Sequence, residues 1–249
     1  MKHYKYLIIG GGLTGDAATR GIRELDAEGS IGLIGMETAP PYMRPNLSKG
    51  LWKGRPVEKI WRKTEERGEL NLGRKVTQLD PQKKTVQDDQ GDEYSYDKLL
   101  LATGGSPNHL PFGKGDIIYF RDFEDYQHLR ALADVKEHFV VIGGGFIGSE
   151  IAAALTMVGK KVTMVFQSGA LFDSLTVAEN ILFSLELRDD YNADNKDDVV
   201  SGLLDIVDLG EYADARPSAL STGHRRAVAI ARALAAQPAC FECYYNIGF

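Results

Sequence analysis

Six glycines, set in two copies of one spacing, are the residues best placed to do chemistry in this sequence. The first copy is Gly10-Gly11-Gly12-Leu13-Thr14-Gly15, behind the apolar run Tyr6-Leu7-Ile8-Ile9. The second is Gly143-Gly144-Gly145-Phe146-Ile147-Gly148, behind Phe139-Val140-Val141-Ile142. In this pattern the first glycine makes a tight turn out of a strand. The second lets backbone approach a pyrophosphate, and the third lets a helix pack close to the strand. The helix that follows presents N–H groups and a partial positive charge to phosphate oxygens. Gly10, Gly12 and Gly15 are therefore candidate ligands of one dinucleotide, and Gly143, Gly145 and Gly148 of a second. Two such sites in one chain suit an enzyme that moves electrons between dinucleotides. The alternative is a nucleotide-free doubly wound domain in which the glycines only pack.

The elements around the first copy form a complete unit. A helix is predicted up to Leu25 and a strand over Ser30–Ile34, and Glu37 follows, 22 residues beyond Gly15. A carboxylate at that point accepts hydrogen bonds from ribose hydroxyls. The second copy has a helix predicted over Phe146–Val158 and a strand over Lys161–Phe166. No acid ends that strand; Gln167, Ser168 and Gly169 stand there, so the sequence does not separate NAD from NADP. Between the copies, residues 76–101 read as antiparallel strands with a turn at Asp88–Asp92. Trp52, Trp61, Tyr94 and Tyr96 read as packing residues.

Composition sets the outer bounds. A chain of 249 residues, 43% hydrophobic and 26% charged, fits a globular protein of one large or two small domains. A net charge of −6 argues against a nucleic-acid binder. No apolar run approaches the roughly 18 residues of a membrane span. A strand is expected almost from Met1, which leaves no signal peptide and points to the cytoplasm. The two cysteines, Cys240 and Cys243, make no disulfide framework, and their C-x-x-C spacing near an irregular C-terminus is weak support for a redox pair or a metal site. No other metal site is expected. The acidic stretch Asp189–Asp198 lacks the glycine and terminal glutamate of a calcium loop and reads as a solvated linker before a helix over Asp197–Val207.

Further motifs sit around the glycines in a fixed order. Pro40-Pro41-Tyr42-Met43-Arg44-Pro45-Asn46-Leu47-Ser48-Lys49 follows Glu37, Leu99-Leu100-Leu101-Ala102-Thr103-Gly104-Gly105 closes a later strand, and Ser149-Glu150 extends the second copy. With these, residues 1–166 resemble the FAD-dependent pyridine-nucleotide reductases, in the branch of ferredoxin reductases and apoptosis-inducing factor. The resemblance implies that Gly10, Gly12 and Gly15 hold the FAD pyrophosphate, Glu37 the adenosine ribose, and Arg44 phosphate or ribose oxygens through its planar donors. It implies that Lys49 lies near the flavin ring, where a cation stabilises the reduced flavin's negative charge, and pairs with Glu150 near the nicotinamide. Thr103 and Gly104 would mark the crossing from the flavin part to the nicotinamide part. On the residues alone, the alternative for Lys49 is a solvated surface lysine, and for Glu150 a first-turn acid complementing its helix dipole.

After Phe166 that pattern stops. Gln167-Ser168-Gly169 with Leu175-Thr176-Val177-Ala178-Glu179-Asn180, and later Leu220-Ser221-Thr222-Gly223-His224 leading into Ala229–Leu234, resemble the segment of an ABC transporter ATPase from Q-loop to signature. The chemistry of that family is missing. No G-x-x-x-x-G-K-[ST] occurs, and Ala239-Cys240-Phe241-Glu242 replaces the Asp-Glu pair after Pro238, so ATP turnover is not expected. His224 reads as capping or solvating a helix start.

The expected fold is α/β: a Rossmann-type FAD-binding part over 1–113, a partial NAD(P)-binding βαβ unit over 114–166, and a mostly helical tail over 167–249. The expected function is an FAD-dependent NAD(P)H oxidoreductase, passing hydride from nicotinamide to flavin and electrons on to a small iron–sulfur protein. The alternative is a catalytically dead hybrid whose tail docks on a membrane-transport partner. In the tail, the faces Ile181/Leu182/Leu185 and Leu203/Leu204/Val207 have no obvious native partner in a reductase, so it is expected to be the least stable segment.

Overall fold

The computed structural model describes residues 1–109, 117–165, 171–186 and 191–235, and the backbone of 240–243. The chain divides into two compact units, Met1–Ser106 and Pro107–Phe249. Both are α/β, as expected.

The first unit is built on a six-stranded sheet in the order β3-β2-β1-β6-β5-β4. Its strands are β1 (Lys2–Ile9), β2 (Ile31–Gly35), β3 (Glu69–Leu72), β4 (Val76–Asp80), β5 (Thr85–Asp88) and β6 (Glu93–Leu101). β1, β2, β3 and β6 run parallel, while β4–β5 and β5–β6 pair antiparallel, as the run from residue 76 predicts. Helix α1 (Leu13–Leu25) crosses from β1 to β2. Leu7, Ile8 and Ile9 are all buried because both faces of β1 are covered, which is why this strand reads as a continuous apolar run. On one face Ile8, Ile31 and Leu33 pack with Ala18 and Ile22 of α1; on the other lie Tyr4, Leu7, Ile9, Val86, Tyr94 and Tyr96. Between β2 and β3 the chain makes short 3-10 turns. Leu47, Leu51, Trp52 and Ile60 are buried there, and Trp52 Nε1 donates to the Leu47 carbonyl (2.8 Å).

The second unit has a parallel four-stranded sheet in the order β7-β10-β8-β9. The strands are β7 (Ile117–Ile118), β8 (His138–Ile142), β9 (Lys161–Val165) and β10 (Cys240–Cys243). Helices α2 (Phe123–Val135) and α3 (Phe146–Met157) precede and follow β8; α4 (Val177–Glu186), α5 (Lys196–Ile206) and α6 (Thr222–Ala235) come after β9.

Two features go beyond what the sequence pattern foretells. The helical segment does find partners for its apolar faces, largely within itself. Ile181, Leu185, Leu204 and Val228 are buried in one core, with Leu182, Leu203 and Val207 packed against it. The other face of α6 covers the sheet: Ala229, Ile230 and Ala233 pack on Val140 of β8 and Val165 of β9. The segment therefore contains the cover of a parallel sheet, which needs both faces buried. The C-terminal Cys240-Phe241-Glu242-Cys243 is also not irregular. It is strand β10, paired in parallel with both β7 and β8.

Candidate functional site

The first glycine loop leaves β1 where Gly10 N donates to the Ile34 carbonyl of β2 (2.8 Å). Gly10 has φ +127°, and a Cβ there would lie 2.0 Å from the Ala102 carbonyl oxygen, so only glycine fits. A Cβ on Gly15 would lie 2.1 Å from the Gly10 carbonyl oxygen, which is the close helix–strand approach that the third glycine permits. Gly12 differs from both. It is the N-cap of α1, with φ −83° and ψ −172°, and no side chain caps the helix there. Among the described residues, no atom beyond its chain neighbours lies within 4 Å of a Cβ built on it. Packing does not require glycine at position 12. The bare backbone, the uncapped helix start and the open space above it suit an anion that needs to approach the main chain.

The second loop repeats this geometry. Gly143 N donates to the Val165 carbonyl (2.8 Å), and Gly143 has φ +122°. A Cβ on Gly148 would lie 2.0 Å from the Gly143 carbonyl oxygen. Gly145 is the extended N-cap of α3, again without a side-chain cap. Glu150 is the fifth residue of α3, beyond its first turn, and half-buried. The dipole-complementing alternative for Glu150 is weakened by that position. Gln167, Ser168 and Gly169 lie outside the described residues.

At the sheet end where the first loop sits, Thr103 and Gly104 leave β6 beside Gly10: the Thr103 amide nitrogen is 3.2 Å from the position of a Gly10 Cβ. Gly104 has φ +68° and, like Thr103, is exposed. Ligands of open α/β sheets bind outside such carboxyl ends, where the chain departs to either side. Glu37, two residues past β2, is held by two donors. Tyr42 Oη donates to Glu37 Oε2 (2.6 Å), and the Arg44 guanidinium pairs with Glu37 Oε1. The two residues assigned separately to ribose and to FAD oxygens are thus partners of one another. A carboxylate has about four lone-pair sites, so Glu37 keeps acceptor capacity for hydroxyls. Lys49 is exposed in the first unit, between two 3-10 turns, and Glu150 belongs to the second.

Sequence reading missed Asp16. This carboxylate is the fourth residue of α1, next to Gly15, and is fully buried. Thr64 Oγ1 (2.7 Å) and Arg67 Nη2 (2.6 Å) donate to Oδ1, Arg62 Nε (2.9 Å) donates to Oδ2, and Arg20 stands 3.5 Å away. Burial pushes the Asp16 carboxyl up, but the hydrogen bonds of Thr64 and Arg62 and the charges of Arg62 and Arg67 outweigh it. Its pKa falls below the ordinary value. One signal could have found the cluster. An acid in the first turn of a phosphate-facing helix opposes the anion unless cations neutralise it.

The residues of the ABC-like motifs act as helix caps. Thr176 N donates to Glu179 Oε2 and Glu179 N to Thr176 Oγ1, a reciprocal capping box at α4. The Asn180 side chain, fully buried, bonds the backbone of Phe172, Leu175 and Thr176. At α6 the cap is Ser221 rather than His224: Ser221 Oγ accepts from the His224 amide (3.1 Å), and the His224 ring packs near Tyr212. Among the described residues no cluster of acid, histidine or cysteine side chains has metal-ligand geometry, and no helix is long and apolar enough to cross a membrane. Pro238, Ala239 and the acidic residues Asp189 and Asp190 lie outside the described residues.

Comparison with known proteins gives two family matches. The pyridine nucleotide-disulphide oxidoreductase family matches residues 4–180, and the ABC transporter family matches residues 143–241. The ferredoxin reductase subunit of 5,5'-dehydrodivanillate O-demethylase from Sphingobium is 37% identical over 176 residues, 66% of this chain and 42% of the relative. Rubredoxin-NAD(+) reductase of Pseudomonas putida is 32% identical over 64% of this chain and 44% of the relative. The chain thus spans less than half the length of these relatives. Among solved structures, putidaredoxin reductase in its covalent complex with putidaredoxin superposes with a TM-score of 0.61 at 32% identity, over 69% of this chain and 44% of that one. The fold of NADH:rubredoxin oxidoreductase from Clostridium acetobutylicum is shared over 98% of this chain, with a TM-score of 0.64 at 20% identity.

Proposed function

The chain belongs to the pyridine nucleotide-disulphide oxidoreductase family, whose members use FAD and NAD(P)H, and from that membership we propose that it is a flavoprotein that takes electrons from NAD(P)H and delivers them to a small ferredoxin-type protein. The observation that carries this reading is the repeated cradle: two glycine loops with φ within about 5° at the first glycine, an equivalent hydrogen bond to the next strand and a closely similar helix–strand approach. FAD fits the first of them, because Gly12 leaves backbone amides open where packing makes no demand. Gly10, Gly12 and Gly15 would hold the pyrophosphate, Glu37 and Arg44 the adenosine end, and Thr103 and Gly104 the rim beside Gly10. Gly143, Gly145 and Gly148 would hold the nicotinamide dinucleotide. We assign Lys49 and Glu150 to the flavin and nicotinamide ends. Bound flavin would supply the two-electron to one-electron conversion; these residues would bind and orient it. Purified protein should carry flavin absorbance, and NADH or NADPH should bleach it anaerobically. Protein that stays colourless and takes up no FAD on titration would overturn the reading.

A second reading rests on the ABC transporter match to residues 143–241. In it the chain is a hybrid, a reductase head joined near Val165 to an ABC-like segment, with no catalysis and a tail that docks on a membrane-transport partner. The absence of a phosphate-loop lysine anywhere in the sequence argues that such a hybrid would not hydrolyse ATP.

A further inference from the structure

The buried Asp16 cluster joins the two ends of the proposed FAD site. Asp16 is adjacent to Gly15 in the first turn of α1, the turn that would face the pyrophosphate. Arg62, which donates to it, follows Trp61 directly. Trp61 pairs with Tyr42 in an antiparallel bridge, their rings meeting edge-on at 5.9 Å. Arg62 N donates to the Pro41 carbonyl (2.7 Å), and Met43 N donates to the Ile60 carbonyl (2.9 Å), closing the bridge on both sides. Tyr42 then reaches Glu37, which Arg44 also holds. The path from the glycine loop to the adenosine-end carboxylate therefore runs through one partly buried ion pair, one backbone bridge and the Tyr42–Glu37 hydrogen bond.

Physical chemistry gives the ion pair a direction. A carboxylate in the first turn of a helix that binds phosphate would repel its ligand if left bare. Surrounded by Arg20, Arg62 and Arg67, Asp16 is overcompensated and leaves surplus positive charge at that end of α1. A buried pair of this kind is poor evidence for stability, since its desolvation cost opposes its Coulomb gain; a role in setting geometry is better attested.

We propose that Asp16 is a positioning residue of the FAD cradle: through Arg62 it sets the placement of the Glu37–Arg44 pair relative to the amides of the glycine loop. The proposal rests on the FAD reading above. It is tested on the full chain by titration with FAD, followed by flavin fluorescence quenching, together with the thermal midpoint of the FAD-free protein. Arg62→Gln is the main variant, because Asp16 keeps Arg67 and Thr64 and the fold is retained. Its FAD affinity should fall about tenfold or more, the scale of a misplaced binding group, while the midpoint of the free protein moves little. Arg62→Lys restores the cation and should recover most of the affinity. Asp16→Asn, if folded, should weaken FAD as Arg62→Gln does. Wild-type affinity in a folded Arg62→Gln protein would overturn the proposal. So would an affinity loss that tracks a loss of stability and that Arg62→Lys does not reverse. If the unmodified chain fails to saturate with FAD, the functional reading falls first and the proposal with it.

Discussion

Replacing Gly12 by alanine in one protein and Gly15 by alanine in another separates the ligand's demand for glycine from the fold's demand within a single loop. Gly12 has backbone angles that alanine adopts freely, and among the described residues a Cβ there meets no atom within 4 Å beyond its chain neighbours. Alanine is a poorer N-cap than glycine, so the FAD-free Gly12→Ala protein should lose about 1 kcal/mol or less. Its added methyl, however, occupies the space through which a pyrophosphate reaches the amides. Losing one hydrogen bond from an amide to a charged phosphate costs about 1.5–3 kcal/mol, or about tenfold to a hundredfold in affinity. Gly15→Ala should behave the other way. Its Cβ would lie 2.1 Å from the Gly10 carbonyl oxygen, where ordinary contact begins at 3.4 Å, so α1 must retreat from β1 by about 3.4 − 2.1 = 1.3 Å. Gly10 has little freedom to give way, because its backbone lies close against the Ala102 carbonyl. Overpacking of that kind costs about 1–3 kcal/mol. Urea unfolding of the FAD-free proteins measures the stability terms, and FAD titration of Gly12→Ala the binding term. The reasoning is refuted if Gly12→Ala binds FAD as the parent does, or if it destabilises the free chain as much as Gly15→Ala.

The second cradle should respond alike: Gly148→Ala, 2.0 Å from the Gly143 carbonyl oxygen, should destabilise the second unit by about 1–3 kcal/mol, read as faster amide exchange in β8 and α3. Alkali should weaken the first unit. Burial, reinforced by the hydrogen bond to Asp88, pushes the Tyr94 hydroxyl up from 10 to about 12. Between those values the unfolded chain has lost a proton that the folded chain keeps, so stability falls as pH rises through that window, by at most about 1.4 kcal/mol per unit. Tyr4 is also raised, chiefly by burial, so Tyr94→Phe should flatten the fall in urea midpoint between pH 9 and 11 only in part. Finally, Ile230→Ala should cost about 2–4 kcal/mol, since the side chain packs against Val140 and Val165. Exchange should quicken at the Val140 and Val141 amides as well as in α6; quickening confined to α6 would mean that the helical segment stands apart from the sheet.

The sequence by itself determined both strand–glycine–helix turns, because each is a local matter. A positive φ at the first glycine, a close helix approach at the third and an apolar run before them leave a signature within about ten residues. α1, observed over Leu13–Leu25, ends where the pattern predicts, and α3, β9 and α5 fall within a residue of their expected limits. Only tertiary structure decided what these elements meet. Arg62 and Arg67 reach Asp16 across 46 and 51 residues, and nothing near either arginine in the sequence marks the acid as its partner. Glu37 and Arg44 look like independent ligands of one cofactor until the fold pairs them. The helices after residue 171 look partnerless because their core is made with one another and, through α6, with Val140 of β8, about 90 residues earlier in the chain than Ile230. β10 is four residues long and lies between β7 and β8, with Phe241 opposite Ile117 and Val140. A strand that short has no periodicity to read. Its identity comes from the backbone donors and acceptors that two distant strands leave open between them, and that demand exists only once the rest of the sheet has formed.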